Sequence, residues 1–395
     1  MKEFGPKLYY VEEVLQHAGK YTAVLLYVPM DMSQKIRDKE DLKRFTTTEI
    51  DEDSLEIVSE GHYVYRWGKN EFQSADNDPR VVQIRERYEE LKKNLLLPDH
   101  NVLSYADVTK LYSYHVNVGH GNHSLIVFEA NSDIYIWMVD CSDYDFLLHK
   151  YYRKNIDSCL KHIKQKFNID TLKIKNVMLT HPHYNHYSGI GYYIDNKIID
   201  SDTIFYINTQ YKIQSHNFNN LLSKISTLLS MVIEPVISSS NININILYPD
   251  TIDKNSKLSY NNMSSVYNIR FDNKSYCIFP GDIEKEGWDL MNVCGYCKDF
   301  SEVCLYAISH HGCLNGHILD IVPPNQVCTG KNLCKIISST TIPVLMGRDK
   351  AYNGVYCCKV QKDFKGRIFY SEKDKRGNPA SFLEIDLMNL SCTHY

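Results

Sequence analysis

The stretch THPHYNHYSG, from Thr180 to Gly189, places three histidines within six residues. It follows the apolar run KIKNVMLT at 173–180, which predicts a β-strand. A loop that leaves a strand can direct the side chains of His181, His183 and His186 towards one point, and neutral imidazole is a common zinc ligand. Three such side chains are costly to bury as ordinary core. The stretch therefore predicts a metal site, and the alternative is a solvent-exposed polar loop.

Two later strand ends carry side chains of the same chemistry. The apolar run YCIF precedes Gly281-Asp282, where glycine permits a tight turn and a carboxylate can bridge two cations. The run CLYAI precedes His310-His311-Gly312. Each motif alone is weak, since Gly-Asp usually marks a turn, but three strand ends in this order are far more specific. The candidate metal ligands are His181, His183, His186, Asp282, His310 and His311.

Strands and helices alternate along the chain, without a glycine-rich nucleotide-binding fingerprint. Alternating and continuous apolar runs predict strands, and helical spacing predicts helices. Strands are expected at 21–28, 111–118, 124–130, 134–140, 241–249, 264–271 and 274–282, and helices at 80–97, 145–167 and 219–233. The heavily charged residues 33–55 are expected to form a solvated loop or helix. This pattern predicts an α/β chain whose helices pack outside a β-sandwich.

A change of sequence texture near residues 100–110 predicts two domains. The helix expected at 80–97 stops at Pro98, and the closely spaced β-rich runs begin only after residue 110. Residues 1–105 are therefore expected to form a small N-terminal α+β module, and residues 106–395 the sandwich. The sequence gives the module no single role: it could clamp substrate, bind a partner or mediate self-association.

Composition narrows the class of protein. The formal net charge of the 395 residues is −4, so a nucleic acid would need a local basic patch or metal ions rather than a global basic field. No run approaches the ~18 apolar residues that cross a membrane, and the charged N-terminus lacks a signal-peptide core. The twelve cysteines are expected to be reduced thiols in a cytoplasm. Cys294 and Cys297 have zinc-knuckle spacing but no clear second pair, so ordinary buried thiols are expected there.

From about Leu111 to the C-terminus, the order of these motifs resembles the metallo-β-lactamase-fold hydrolases, and within them the ComEC-like branch. The histidine loop matches the family's His-x-His-x-Asp-His pattern, and Gly281-Asp282 and His310-His311-Gly312 match two later motifs. Further segments match less closely: Asn117–Asn122, Asp140–Ser142, Leu247–Pro249, Asn261–Ser264, 366–370 and 382–385.

The resemblance implies an αββα sandwich that holds one or two metal ions. Zinc is the expected ion, with manganese as an alternative. The implied ligands are His181, His183 and Asp282 for one ion, and His186, Asp282, His311 or His310, and Asn185 for the other.

The resemblance also implies a metal-dependent hydrolase, expected to be a phosphodiesterase or nuclease acting on a phosphodiester such as nucleic acid. Asp282, His183 and Asn185 are the expected catalytic residues. Asn262 and Ser264 are the expected substrate contacts. The fold hosts many other hydrolases, so fold alone does not define the substrate.

Asn185 stands where the family has an aspartate. An amide keeps an oxygen ligand but loses the charge and any function as a base, and hard cations favour carboxylate oxygen. Asn117 and Asn122 also replace acidic residues of the opening motif. A binding module with weakened catalysis is therefore the competing hypothesis. Retention of the whole ligand set favours a working hydrolase.

Several other polar residues are expected to lie outside the site. His216 occupies the window in which many family members carry another ligand, but its polar surroundings favour a non-ligand. The segment Lys362–Arg376 could contact phosphate, although a solvated hairpin is preferred. Four further histidines could line the cleft, although turn or surface positions are preferred for them: His115, His120, His123 and His317.

Overall fold

The computed structural model describes most of the chain. The described residues are 6–17, 19–30, 45–68, 71–95, 105, 107–208, 215–233, 244–246, 260–271, 274–293, 303–317, 339–349, 351, 354–364 and 366–395. The Cys294-Cys297 pair and Leu247–Pro249 lie outside these ranges. The eight cysteines within them are free thiols. None of the described helices has the length and apolar character that crossing a membrane requires. The cytoplasmic location stays a prediction.

An antiparallel sheet forms the N-terminal part of the chain. Its strands are β1 (Lys7–His17), β2 (Lys20–Tyr27), β3 (Phe45–Ile50), β4 (Tyr63–Arg66) and β5 (Phe72–Ser74), in the order β3-β2-β1-β4-β5. Helix α1 (Pro79–Asn94) follows, with Asp78 accepting a hydrogen bond from the Arg80 amide as its N-cap. The strand expected at 21–28 and the helix expected at 80–97 are confirmed.

The expectation of loop or helix over residues 33–55 is wrong for residues 45–50, which form β3. Phe45, Thr48 and Ile50 are buried while Thr47 and Glu49 face solvent. The segment is thus a half-buried strand whose threonines suit a pleated surface. Its pairing partner is β2, from Tyr21↔Ile50 to Leu26↔Phe45.

Two larger sheets form the rest of the core. The eight-stranded sheet has the order β13-β12-β11-β8-β7-β6-β20-β21, and the six-stranded sheet runs β14-β15-β16-β17-β18-β19. The first contains β6 (Val108–Val116), β7 (His123–Ala130), β8 (Asp133–Cys141), β11 (Asn176–Met178), β12 (Ile204–Tyr206), β13 (Met231–Ile233), β20 (Phe382–Asp386) and β21 (Ser391–His394). The second contains β14 (Ile244–Ile246), β15 (Tyr267–Phe271), β16 (Lys274–Phe279), β17 (Leu305–Ala307), β18 (Ile342–Leu345) and β19 (Phe369–Tyr370). A separate ribbon pairs β9 (Tyr144–Asp145) with β10 (Lys150–Tyr151).

The two large sheets pack face to face, with helices on both outer faces. Trp137 and Ile126 of the first sheet share one buried cluster with Tyr267 and Leu305 of the second. On the outer face of the first sheet lie α2 (Arg153–Phe167), the short helices α3 (Tyr184–Tyr187) and α4 (Ile190–Asp195), and α5 (His216–Leu228). On the outer face of the second lie α6 (Lys285–Val293) and α7 (Cys358–Asp363). This order of layers confirms the αββα sandwich.

Two predicted helices have different bounds. The helix expected at 145–167 begins only at Arg153, because the Asp145 carboxylate accepts hydrogen bonds from the amides of Leu147 and Leu148 and so forms a turn. The helix expected at 219–233 ends at Leu228, and Met231–Ile233 instead pairs in parallel with β12. β-branched residues there fit a strand better than a helix.

The N-terminal sheet packs against the sandwich beside the histidine loop. The ring of Phe45 lies 5.0 Å from that of Tyr184 and 5.2 Å from that of Phe146. Independent folding of residues 1–105 and 106–395 stays a prediction.

Candidate metal centre

The ends of three strands bring the candidate ligands together. The histidine loop follows β11 of the eight-stranded sheet, while Asp282 and the histidine pair follow β16 and β17. β16 and β17 are parallel neighbours, so their carboxyl ends lie at one edge. Gly281, at φ +60°, permits a close approach: a Cβ there would lie 2.6 Å from the Thr180 Cβ. The two sheets therefore meet tightly where the ligands emerge.

His181, His186 and Asp282 form the centre of the group. One ligand atom from each lies within 4.8 Å of the other two. The His181 Nε2 lies 3.0 Å from the His183 Nδ1. The Asp282 Oδ2 lies 3.3 Å from the His186 Nε2 and 3.4 Å from the His311 Nε2. These spacings match the roughly 3.3 Å between ligand atoms in a tetrahedral zinc site with bonds near 2.0–2.1 Å.

Buried atoms without hydrogen-bond partners also fit a cation. Within the described part of the chain, the Asp282 Oδ1 and the His186 Nε2 are buried and make no hydrogen bond, although the latter lies at ion-pair distance from Asp282. Leaving such groups unsatisfied costs about 1–3 kcal/mol each, and more for a charged group. A metal ion bound by both atoms removes this cost. The donor set of imidazole nitrogens and one carboxylate suits zinc.

In each of these histidines, the ring nitrogen that faces away from the ligand group contacts another polar group. The His186 Nδ1 lies 2.8 Å from Asp140, whose carboxylate also accepts hydrogen bonds from the amide and hydroxyl of Thr180. Such a partner fixes the tautomer and orients the second nitrogen towards the metal. The equivalent contacts are His181 Nδ1 to Thr180 Oγ1 at 3.0 Å, His311 Nδ1 to the Met346 carbonyl at 3.3 Å, and His183 Nε2 to Glu60 Oε1 at 2.9 Å.

His310 and His311 face different neighbours. His311 faces Asp282, whereas the His310 Nε2 lies 3.2 Å from Glu13 and its Nδ1 lies 3.2 Å from Glu284. Both histidines have φ +48°, a left-handed conformation that costs about 1–2 kcal/mol for a residue with a Cβ. The turn therefore separates the two side chains: His311 contacts Asp282, and His310 contacts the two glutamates. Metal binding by either histidine stays a prediction.

We expect the two alanine variants of this pair to behave differently. His311→Ala should weaken binding of the second metal ion at least tenfold, because it removes a ligand nitrogen. His310→Ala should keep the metal content but lower the free energy of unfolding by about 3–5 kcal/mol, because the buried Glu13 and the partly buried Glu284 lose their partner. Metal content per chain and urea denaturation measure the two effects. Loss of metal from His310→Ala alone would contradict this assignment.

Asn185 lies at the second ligand set. Its Nδ2 is 3.1 Å from the His311 Nε2, and a half-turn of the amide brings the oxygen to that place. The Asn185 carbonyl accepts a hydrogen bond from the Asn122 amide, and a Cβ at Gly121 would lie 2.7 Å from the same oxygen. The opening-motif loop therefore packs directly against the histidine loop.

Asn262 and Ser264 make structural contacts in this arrangement. The Asn262 amide oxygen accepts hydrogen bonds from the amides of Glu284 and Gly287, at the start of α6. The Ser264 hydroxyl accepts one from the Asp282 amide at 3.3 Å. Ser264 thus positions the shared carboxylate. Substrate contact by Asn262 and Ser264 stays a prediction.

Burial and neighbouring charges shift the pKa values of the candidate ligands in different directions. Burial and the neighbouring His186 lower the pKa of His181 well below its usual value. Burial opposes the charged form of His186, but Asp282 and Asp140 outweigh it and raise its pKa to about 10. Burial likewise opposes ionisation of Asp282, and His186 and His311 outweigh it, so its pKa is well below the usual value. Metal binding must displace the proton of His186, and affinity therefore falls as pH falls.

Four histidines expected at turns or the surface are all buried, so the surface expectation is wrong, although His120 does lie in the bend between β6 and β7: His115, His120, His123 and His317. Two of them lie within β6 and β7 and are satisfied by Ser124 and by the Ser142 carbonyl. His120 borders the site, with its ring 4.4 Å from that of His311. His216 opens α5, lies 3.2 Å from Asn220, and is not in the ligand group.

Sequence reasoning missed three carboxylates of the N-terminal sheet at this site: Glu12, Glu13 and Glu60. Glu12 and Glu13 interrupt the run LYYVEEVL of β1, which is otherwise made of apolar and tyrosine side chains. A pair of adjacent acidic residues within such a run was the available signal.

No family model matches the sequence, and no curated protein matches it. Among solved structures, the chain is similar to a protein from Thermotoga maritima provisionally assigned as a metallo-β-lactamase, with 15% identity, a TM-score of 0.29, and coverage of 47% of this chain and 86% of the other. A β-lactamase domain protein from Burkholderia ambifaria has 11% identity and a TM-score of 0.26, over 49% of this chain and 60% of the other. CmlA, a diiron β-hydroxylase from Streptomyces venezuelae, has 11% identity and a TM-score of 0.31, over 88% of this chain and 67% of the other. Similarities this low support no inference about activity.

Proposed function

We propose that the protein is a metal-dependent hydrolase that cleaves phosphodiesters, as a phosphodiesterase or nuclease. The observation that carries the proposal is the convergence of imidazoles on Asp282: its Oδ2 lies 3.3 Å from His186 and 3.4 Å from His311, and one of its oxygens lies within 4.8 Å of a His181 ring nitrogen. One set of imidazoles, His181 and His183, comes from the histidine loop, and the other joins His186 to His311. The choice of a phosphodiester is supported by the family resemblance of the motifs.

The roles of the residues follow from their places. His181, His183 and Asp282 would hold one ion, and His186, His311 and Asp282 the other, with the Asn185 amide beside it. When bound, a divalent zinc or manganese ion supplies Lewis acidity, which makes water more acidic and polarises the scissile group. Asp140 orients His186. Asn185 can orient a water molecule by hydrogen bonding but cannot remove its proton.

A second candidate is a binding module that holds metal without turnover. The burial of the site favours it: the exposed fraction of each candidate ligand, including Asn185, is 4% or less. A phosphodiester must reach atoms that are covered in this conformation, whereas a structural metal need not be accessible.

Hydrolysis by the purified chain separates the candidates. The chain is stripped with chelator, reloaded with zinc or manganese, and assayed with bis(p-nitrophenyl) phosphate and with single- and double-stranded DNA. Turnover that needs metal and is absent from His183→Ala supports the hydrolase. Full metal loading with background turnover on every substrate supports the binding module.

A further inference from the structure

We propose that Glu60 of the N-terminal sheet is a positioning residue of the metal centre, so that the centre is complete only when this sheet is docked on the sandwich. The inference rests on the metal site of the proposed function and extends it to a residue outside the sandwich. Glu60 touches no ligand atom that faces the metal and acts through His183.

The contact between Glu60 and His183 carries the inference. The Glu60 Oε1 lies 2.9 Å from the His183 Nε2, and the opposite ring nitrogen, Nδ1, lies 3.0 Å from the His181 Nε2. The two atoms are at hydrogen-bond distance but depart from the angle of a hydrogen bond. One nitrogen of His183 therefore faces the ligand group and the other faces a carboxylate, which is the arrangement that orients histidine ligands in metal sites.

The turn that carries Glu60 is shaped for this contact. The Glu60 Oε2 accepts a hydrogen bond from the Tyr260 amide at 3.1 Å. The next residue, Gly61, has φ +79°, and a Cβ there would lie 2.6 Å from the Tyr260 hydroxyl oxygen. The Gly61 amide donates to the Val11 carbonyl at 2.9 Å. Glu60 is thus fixed from both the sandwich and its own sheet.

A bulge in β1 directs two further carboxylates to the same boundary. Adjacent side chains in a regular strand point to opposite faces, but the pairing of β1 with β2 shifts between Val11 and Glu13. Glu12 accepts a hydrogen bond from the Tyr184 amide, and Glu13 contacts His310. Both are nearly fully buried, at 2% and 3% exposed.

These carboxylates are difficult to explain as packing alone. Burying a carboxylate is costly unless a positive charge or several hydrogen bonds compensate it. Glu60 and Glu13 contact His183 and His310, and Glu12 accepts a hydrogen bond from the Tyr184 amide of the histidine loop. Three carboxyl groups over the histidines suit a centre that holds divalent cations.

Zinc affinity of the full chain tests the proposal. Glu60→Gln keeps the size of the side chain and removes its charge, and Glu56→Gln makes the same change at an exposed position of the same sheet region. Competition with a chromophoric chelator should show zinc binding about 10–100-fold weaker in Glu60→Gln, the range for losing such a partner. Glu56→Gln should match the wild type. The cobalt(II) absorption spectrum should also change only in Glu60→Gln, which a purely structural role would not produce.

Hydrogen exchange provides the reciprocal measurement. If docking of the sheet strengthens metal binding, metal binding must strengthen docking by the same factor. Zinc should therefore slow exchange of the Tyr63–Arg66 amides in the wild type, and slow it less in Glu60→Gln. If Glu60→Gln does not fold, Glu60→Asp carries the test, with intermediate zinc affinity expected because the charge remains but its reach is shorter.

The outcomes distinguish this inference from the proposed function. Unchanged zinc affinity and cobalt spectrum in Glu60→Gln overturn the inference and leave the hydrolase standing. Weakened zinc binding in Glu60→Gln, with no phosphodiester turnover by the wild type, upholds the inference and rejects the hydrolase. A wild-type chain that binds none of zinc, cobalt and manganese overturns both.

Discussion

Asp282→Ala is expected to leave the chain almost without metal and to reduce any hydrolysis to background. Its Oδ2 lies 3.3 Å from the His186 Nε2 and 3.4 Å from the His311 Nε2, and a ligand atom of His181 lies within 4.8 Å of its carboxylate, so one substitution removes a ligand proposed for both ions. It also removes the negative charge that offsets the repulsion of two cations. Loss of an outer partner costs about 10–100-fold in affinity, and loss of this shared ligand should cost more than 100-fold.

Metal content per chain after dialysis and zinc affinity by competition measure the effect of Asp282→Ala. Asp202→Ala, at an exposed turn before β12, is the matched control and should bind zinc like the wild type. A variant at position 282 that kept its full zinc content would show that the metal lies elsewhere.

Asn185→Asp is expected to strengthen the second metal site about tenfold or more. The new carboxylate would lie where the amide now approaches the His311 Nε2 at 3.1 Å, and it adds the charge that hard cations favour. Without metal, the same carboxylate repels Asp282. The variant should therefore unfold at a lower temperature than the wild type when metal-free and at a higher temperature when zinc-loaded.

Thermal unfolding with and without zinc tests whether the shift in unfolding temperature changes sign when metal binds. Phosphodiester turnover is measured on the same chains. Asn94→Asp, at the exposed end of α1, controls for the added charge. A hydrolase limited by its second site should keep or gain activity. Loss of a robust wild-type activity would instead show that asparagine is tuned for the reaction, and would contradict its description as a weak point. Background turnover in both chains would favour the binding module.

The parts of the site that were predictable from the sequence are local. His181, His183 and Asp282 each lie within three residues of the end of an apolar run, which predicts their place at strand ends. The choice between His310 and His311 was not predictable, because it depends on two successive positive φ angles. The contact of Glu60 with His183 depends on the packing of separate sheets, which no periodicity encodes.

In the fold, too, the features that follow from local sequence were predictable, and those that depend on tertiary contacts were not. The αββα layers follow from the alternation of strands and helices, and the strand at 21–28 is a continuous apolar run. Strand β3 was missed because its charged neighbours suggested solvent, while its burial comes from pairing with β2 and packing on Phe146. Tertiary contacts decided its conformation, as they commonly do for weakly patterned strands.

The covering of the ligands by the N-terminal sheet bears on how fast an ion enters or leaves. A chelator in solution cannot touch side chains that are 4% exposed or less, so the protein must open before the ion is captured. At high chelator concentration, the removal rate then levels off at the opening rate and no longer reports bond strength. A loaded chain would therefore keep its ion through purification on kinetic grounds, and an ion acquired during folding would be retained even where another binds more tightly at equilibrium.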